Sequence, residues 1–143
     1  MRVRVVLDTN VLVSATRSRQ GASFQILSQL GTGAYEIAVS VPLVLEYEDV
    51  LLRQQSSALK QADVVAIVDY VVGVAIRQEI FFLWRPILRD PGDDMILELA
   101  VAAECDAIVT HNVRDFEGAT RFGLSVVKPS AFLNIIRSRH DRA

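Results

Sequence analysis

The 143 residues are 51% hydrophobic and only 7% aromatic. That sizes the chain for one domain with a core of Val, Ile, Leu and Ala, the usual filling of a parallel sheet buried by helices on both faces. A formal net charge of −2 gives no global argument for nucleic-acid binding, and the thirteen Arg against two Lys suit phosphate contacts but fit a GC-rich genome equally well.

In chain order, Val3 to Leu7 is a β-branched run that ends at Asp8. It has no small-residue cleavage site, so it reads as a strand and not as a signal peptide. The turn after it, DTNVLVS, lacks the glycines of a GxGxxG or P-loop, which disfavours a dinucleotide or ATP enzyme. Ala22 to Leu30 has helical spacing and stops at Gly31 and Gly33. Ile37 to Val41 is a short strand, and Pro42 then opens a helix running to about Gln54. Ala62 to Arg77 reads as an apolar helix; its apolar stretch, broken by Asp69, is shorter than the ~20 residues that cross a bilayer. Ile80 to Trp84 resembles a strand, with one face of a helix as the alternative. Asp90-Pro91-Gly92 is a turn leading into a helix from about Asp93 to Glu104. Cys105, the single cysteine, rules out a disulfide framework and a cysteine-based zinc site, as expected in a reducing cytoplasm. Ala107 to Thr110 and Leu124 to Val127 are strands, and Pro129 starts a last helix to about Ser138. Short strands alternating with longer helices predict a single α/β domain over residues 1–143, a three-layer α/β/α sandwich with a central parallel sheet. Ligands of such sheets bind beyond the carboxyl ends of the strands.

Acidic residues gather at that edge. Asp8 follows the first strand, beside Thr9 and Asn10, where an Asp caps a following helix as readily as it binds a ligand. Glu46 lies on the next helix in a polar stripe with Asp49 and Arg53, which a solvated face with an i,i+4 pair also explains. Asp93 and Asp94 open a helix that is apolar almost all round, with Glu98 one turn on. The helix dipole accounts for Asp93, but a buried helix carries Asp94 into the fold, where an unpaired carboxylate is costly without a cation. Asn112 and Asp115 follow a later strand in a turn-forming run. His111 has no second His or Cys at ligand spacing, so zinc is disfavoured. Each position has an ordinary structural explanation, but a doubly wound sheet collects all of them at one edge without matching Lys or Arg. Oxygen-only donors of this kind suit Mg²⁺ or Mn²⁺.

The stretches VVLDTNVLVSA, VSVPLVLEYEDVLL, RDPGDDMILELAVAAECDAIVTHNVRDF and LSVVKPSAFL, in this order, resemble PIN-domain nucleases across nearly the whole chain. Within that family the sequence is most similar to the bacterial VapC-type toxins of toxin–antitoxin pairs. The resemblance implies a compact α/β/α fold, an acidic pocket for Mg²⁺ or Mn²⁺, endoribonuclease activity on RNA, frequent homodimers, and a small antitoxin protein that blocks the pocket. By position it implies that Asp8 is the first acid, Glu46 the second and Asp94 the third, with Asp93 and Glu98 as adjacent alternatives. Asn10 matches a polar residue that supports the pocket. At the fourth position many relatives carry an Asp where this chain has Asn112, and others show the Thr-x-Asn-x-x-Asp-Phe pattern seen here, in which Asp115 supplies the charge.

The implied function is a cytoplasmic, metal-dependent endoribonuclease, the toxin of a type II pair, with no membrane association. The alternative is a PIN-like module with weakened metal binding that holds RNA or an antitoxin. A phosphoacceptor signalling domain fits poorly, because the first strand ends in one Asp and Lys128 has no central Asp partner.

Overall fold

The computed structural model describes residues 3–56, 58–80 and 87–141. At its centre lies β1 (Arg4–Leu7), with Val5, Val6 and Leu7 wholly buried. On one side it pairs in parallel with β2 (Glu36–Val39), Arg4 opposite Glu36. On the other it pairs in parallel with β4 (Ala107–Val109), Leu7 opposite Val109. β3 (Ile76–Arg77) extends the sheet beyond β2, and β5 (Ser125–Val127) extends it beyond β4. All pairs are parallel and the order is β3-β2-β1-β4-β5. Helices flank the sheet, giving the three-layer α/β/α fold expected from the alternation of elements.

The helices begin where the sequence supplies caps. Asp8 caps α1 (Thr9–Arg17), and α2 (Ala22–Ser28) follows. Ser40 caps α3 (Val41–Arg53) by accepting from the Leu43 amide at 3.3 Å, with Pro42 in the first turn. In α4 (Gln61–Val74) the Asp63 carboxylate accepts from the Lys60 amide at 2.8 Å. Asp90 caps α5 (Pro91–Ala102), accepting from the Gly92 amide at 2.8 Å, and α6 (Pro129–Asp141) closes the chain.

Three segments differ from expectation. The apolar run read as one helix to Arg77 stops at Val74: Ala75 turns extended, and Ile76 and Arg77 pair with Ala38 and Val39 as an edge strand. Of the strand expected over Ile80 to Trp84, Ile80 has no regular structure and residues 81–84 lie outside the described residues. The polar run after β4 is more ordered than a turn. It forms 3-10 turns over Val113–Phe122, bent at Phe116, whose ring is fully buried. No helix among the described residues is long and apolar enough to cross a membrane.

The strand order makes the seam between β1 and β4 the point where the sheet winds in two directions. The crevice beyond their carboxyl ends is where such folds place ligands.

Candidate functional site

Asp8 and Thr110 stand side by side at that seam, one residue past the paired Leu7 and Val109. The Asp8 carboxylate accepts from the Thr9 amide at 2.8 Å and from the Thr110 hydroxyl at 2.7 Å. Thr110 is completely buried, and its oxygen also accepts from the Asn112 amide at 3.0 Å and the Asn10 side-chain amide at 3.4 Å. Asn10 in turn accepts from the His111 amide at 3.3 Å, latching the first turn of α1 to the exit of β4. Burial pushes the Asp8 carboxyl above its ordinary range; the Thr110 and Thr9 hydrogen bonds oppose this, and the charges of Glu46 and Asp115 add to it. Asp8 is thus both a helix cap and a member of an acidic cluster.

Glu46 arrives from α3. Its neighbour Tyr47 is buried and donates its hydroxyl to the Leu7 carbonyl, tying α3 to the end of β1. Burial, then the charges of Asp8 and Glu46, raise that phenol far above its usual range, so it stays a donor. Glu46 accepts the Thr9 hydroxyl, one residue from Asp8. The helix face turned to the crevice is Glu46, Val50 and Gln54, at i, i+4 and i+8. Asp49 and Arg53 pair with each other on the exposed side.

α5 presents Asp93. Its carboxyl is pushed up to about 7, first by burial and then by the charges of Asp8, Asp90, Asp115 and Glu46. Asp94, one residue on, does not line the crevice: one of its carboxylate oxygens accepts from the Ile87 amide at 3.1 Å and the Leu88 amide at 2.9 Å. Glu98 is buried on α5 and is also absent from the lining. Asn112 and Asp115 both reach it, from the start of the 3-10 segment. His111 lies beside Ser23, with its Nε2 3.3 Å from the serine hydroxyl.

The result is a crevice of about 350 Å³ lined by Asp8, Asn10, Glu46, Asp90, Asp93, Asn112 and Asp115, with no Lys or Arg in its wall among the described residues. The structure therefore brings Asp8, Glu46 and Asp115 to one crevice with Asn10 and Asn112, and there Asp93 lines the wall while Asp94, the residue sequence matching named, does not. Among the described residues no three acidic, His or Cys side chains converge closely enough to hold an ion as they stand. The donor set is nonetheless all oxygen, and Asp115 is exposed while Glu46 and Asp93 are half-buried, which leaves their side chains room to close on a cation.

Two features escaped the sequence reading. Thr110 is the hub of the site, a role legible from the strand register, since it stands opposite Asp8. Asp90 adds charge to the wall while capping α5. A second cavity of about 560 Å³ adjoins the first, shares Asp90, Asp93 and Asp115 with it, and carries Arg89 and Arg114. Arg17 donates to the Gln54 side chain at 2.6 Å on the first cavity's rim.

Comparison with known proteins bears on this geometry. A family model described as PIN domain matches residues 4–114. Among solved structures, a chain of VapBC2 from Rickettsia felis, bound to a DNA fragment from their promoter, superposes with a TM-score of 0.62 at 18% identity, covering 88% of this chain and 98% of that one. A chain of VapBC-1 from nontypeable Haemophilus influenzae gives 0.61 at 17% identity, covering 90% and 99%. At these identities the likeness is one of fold. No curated protein matches the sequence.

Proposed function

The chain belongs to the PIN-domain family, and from that premise we propose that it is an endoribonuclease dependent on Mg²⁺ or Mn²⁺, the toxin component of a toxin–antitoxin pair. The observation that carries this reading is the crevice at the β1–β4 seam, where Asp8, Glu46, Asp93 and Asp115 share one wall with no Lys or Arg among the described residues. Such a cluster repels itself: burial first, and then the neighbouring carboxylates, raise the Asp8 and Asp93 carboxyls. A cation or a proton relieves the repulsion.

In this reading Asp8, Glu46, Asp93 and Asp115 hold the ion, and Asn10 and Asn112 supply neutral oxygens and orientation. A bound Mg²⁺ or Mn²⁺ supplies positive charge against the phosphate and acidifies a water. Thr9 and Thr110 keep the Asp8 carboxylate in one orientation, and Tyr47 fixes the helix that carries Glu46. Asp93, with its carboxyl near 7, takes up a proton when no cation is present.

The toxin assignment is supported by the fold shared with chains of two VapBC complexes. It is also supported by an apolar face suited to a protein partner, either an antitoxin or a second copy of the chain. Val41 and Leu45 are 73% and 59% exposed on α3, beside an apolar groove of about 540 Å³ bordered by Pro42, Val72 and Ile80. The cytoplasm is the compartment this role requires.

The test is RNA cleavage by the purified chain. Cleavage in Mg²⁺ or Mn²⁺ that stops in EDTA is expected, and undiminished cleavage in EDTA overturns the metal mechanism. A second reading, an RNA- or antitoxin-binding module with weak metal affinity, draws on the absence of three converged ligands among the described residues. Tight RNA binding without Mn²⁺ uptake or cleavage would select it.

A further inference from the structure

We propose that Arg89 and Arg114 form a phosphate-holding subsite beside the acidic crevice, and that Asp94 is the positioning residue that sets its geometry; this rests on the nuclease reading above. The two cavities share Asp90, Asp93 and Asp115, so they form one groove, and beyond the shared carboxylates its second part is lined by Arg89 and Arg114 together with Glu117. Arg89 immediately precedes the cap of α5, and Arg114 lies in the first 3-10 turn after β4. The two cations therefore come from separate segments to one cavity.

Each arginine has an acid as its chain neighbour, Asp90 or Asp115, yet neither forms an ion pair among the described residues. Both are exposed. An arginine with a purely structural role beside so many carboxylates would pair with one of them. Two that line a cavity instead are available to a ligand, and the planar guanidinium fork matches phosphate oxygens. A nucleic-acid strand satisfies both ends of the groove, with one phosphate at the carboxylates and a neighbouring one at the arginines.

The segment carrying Arg89 is fixed from two sides. Asp94 accepts from the consecutive amides of Ile87 and Leu88 at 3.1 and 2.9 Å, just ahead of Arg89. Across the cavity, Gly118 lets the 3-10 segment lie against the same two residues: a Cβ there would stand 3.2 Å from the Ile87 side chain and 3.3 Å from that of Leu88. Asp94 thus governs the placement of Arg89 relative to Arg114 without touching the crevice.

The experiment measures binding of a labelled single-stranded RNA to the full chain in EDTA over a range of salt, together with kcat and KM in Mn²⁺. Arg89→Ala and Arg114→Ala should each weaken binding several-fold, reduce the salt slope of log K by about 0.7, and act mainly on KM. Arg53→Ala, the same charge change on the outer face of α3, should leave the slope unaltered. Asp94→Ala should raise KM in the same way, and Asp94→Asn, which keeps an oxygen for the two amides, should fall between it and wild type. Loss of kcat in Asp94→Asn with unchanged RNA affinity would make Asp94 part of the acidic cluster and overturn its positioning role. If Asp94→Ala fails to fold, Asp94→Asn and the arginine variants still decide the matter. A wild-type chain that cleaves RNA while the Arg89→Ala/Arg114→Ala double variant keeps its KM and salt slope overturns the subsite and leaves the nuclease reading standing. A wild-type chain that neither binds nor cleaves RNA overturns both. Displacement of the RNA by an Asp- and Glu-rich peptide at equal concentration would assign the arginines to an acidic protein segment, against the proposal.

Discussion

Thr110 donates its hydroxyl to Asp8 at 2.7 Å across the seam between β1 and β4, and accepts the Asn112 amide at 3.0 Å through the same oxygen. One buried side chain thereby orients an acid of the crevice and the turn that follows β4. Thr110→Val keeps the shape and removes both bonds, together with the longer one from the Asn10 side-chain amide. It leaves the Asp8 carboxylate short of a donor and the Asn112 amide without its acceptor, at a cost of about 1–3 kcal/mol in a buried setting. Denaturant unfolding should show that loss, Thr110→Ser should recover part of it, and cleavage should fall with it. An unchanged unfolding midpoint would mean that water replaces the hydroxyl.

The sheet and most helices were legible because their signals are local: a β-branched run ends at Asp8, a second apolar run ends at Pro42, which opens a helix, and the Asp90-Pro91-Gly92 turn leads into another. Parallel topology then follows, and with it the gathering of Asp8, Glu46 and Asp115. The choice between Asp93 and Asp94 was not legible in the same way. Successive residues on a helix point about 100° apart, and what draws Asp94 aside is a pair of amides in the preceding loop. The register of α3 hid a similar point. Tyr47 enters the core and turns Gln54 to the crevice, while Asp49 and Arg53 face out. β3 was missed because the apolar run of α4 continues through Ile76, and only pairing with Ala38 and Val39 distinguishes helix from strand there.

Tyr47→Phe tests how far the placement of Glu46 depends on one hydrogen bond. The ring is buried, so the substitution removes the donor to the Leu7 carbonyl and little else. A loss of about 0.5–1.5 kcal/mol is expected, with a fall in cleavage rate greater than the stability change alone explains, because α3 is freed at the residue beside Glu46. Wild-type kcat in this variant would show that packing alone holds the helix.

Asp93 links the stability of the metal-free chain to pH. Its carboxyl lies near 7 in the fold against 3.8 ordinarily. Between those values the folded chain binds more protons than the unfolded one, so this group's contribution is fully present below about pH 4 and lost as pH rises through 7. Thermal melting in EDTA should therefore show wild type losing ground to Asp93→Asn between pH 4 and 8. Adding Mn²⁺ at pH 8 should restore wild type and leave the variant nearly unmoved. Parallel pH profiles for the two proteins would remove Asp93 from the cluster.

Asp115 and Asn112 both reach the crevice, and their chemistry separates them. Asp115 is exposed, yet its charge contributes to the raised carboxyls of Asp8 and Asp93. Asn112 brings an amide oxygen without charge, and its backbone N–H is already bound by Thr110. Asp115→Ala should lower both carboxyl pKa values, weaken Mn²⁺ binding in calorimetry, and reduce cleavage by orders of magnitude. Asn112→Ala removes at most a neutral ligand or a positioning hydrogen bond, about 0.5–1.5 kcal/mol, so its rate loss should stay within roughly tenfold. Asn112→Asp adds a charge to the same wall. It should raise the Asp8 and Asp93 carboxyls further in EDTA and tighten Mn²⁺ binding. The two effects share one cause, because the repulsion that a further carboxylate adds to the metal-free site is the attraction it offers a cation. If Asp115→Ala instead leaves Mn²⁺ affinity and cleavage intact, its charge acts on the cluster only from a distance, and the fourth position belongs to Asn112.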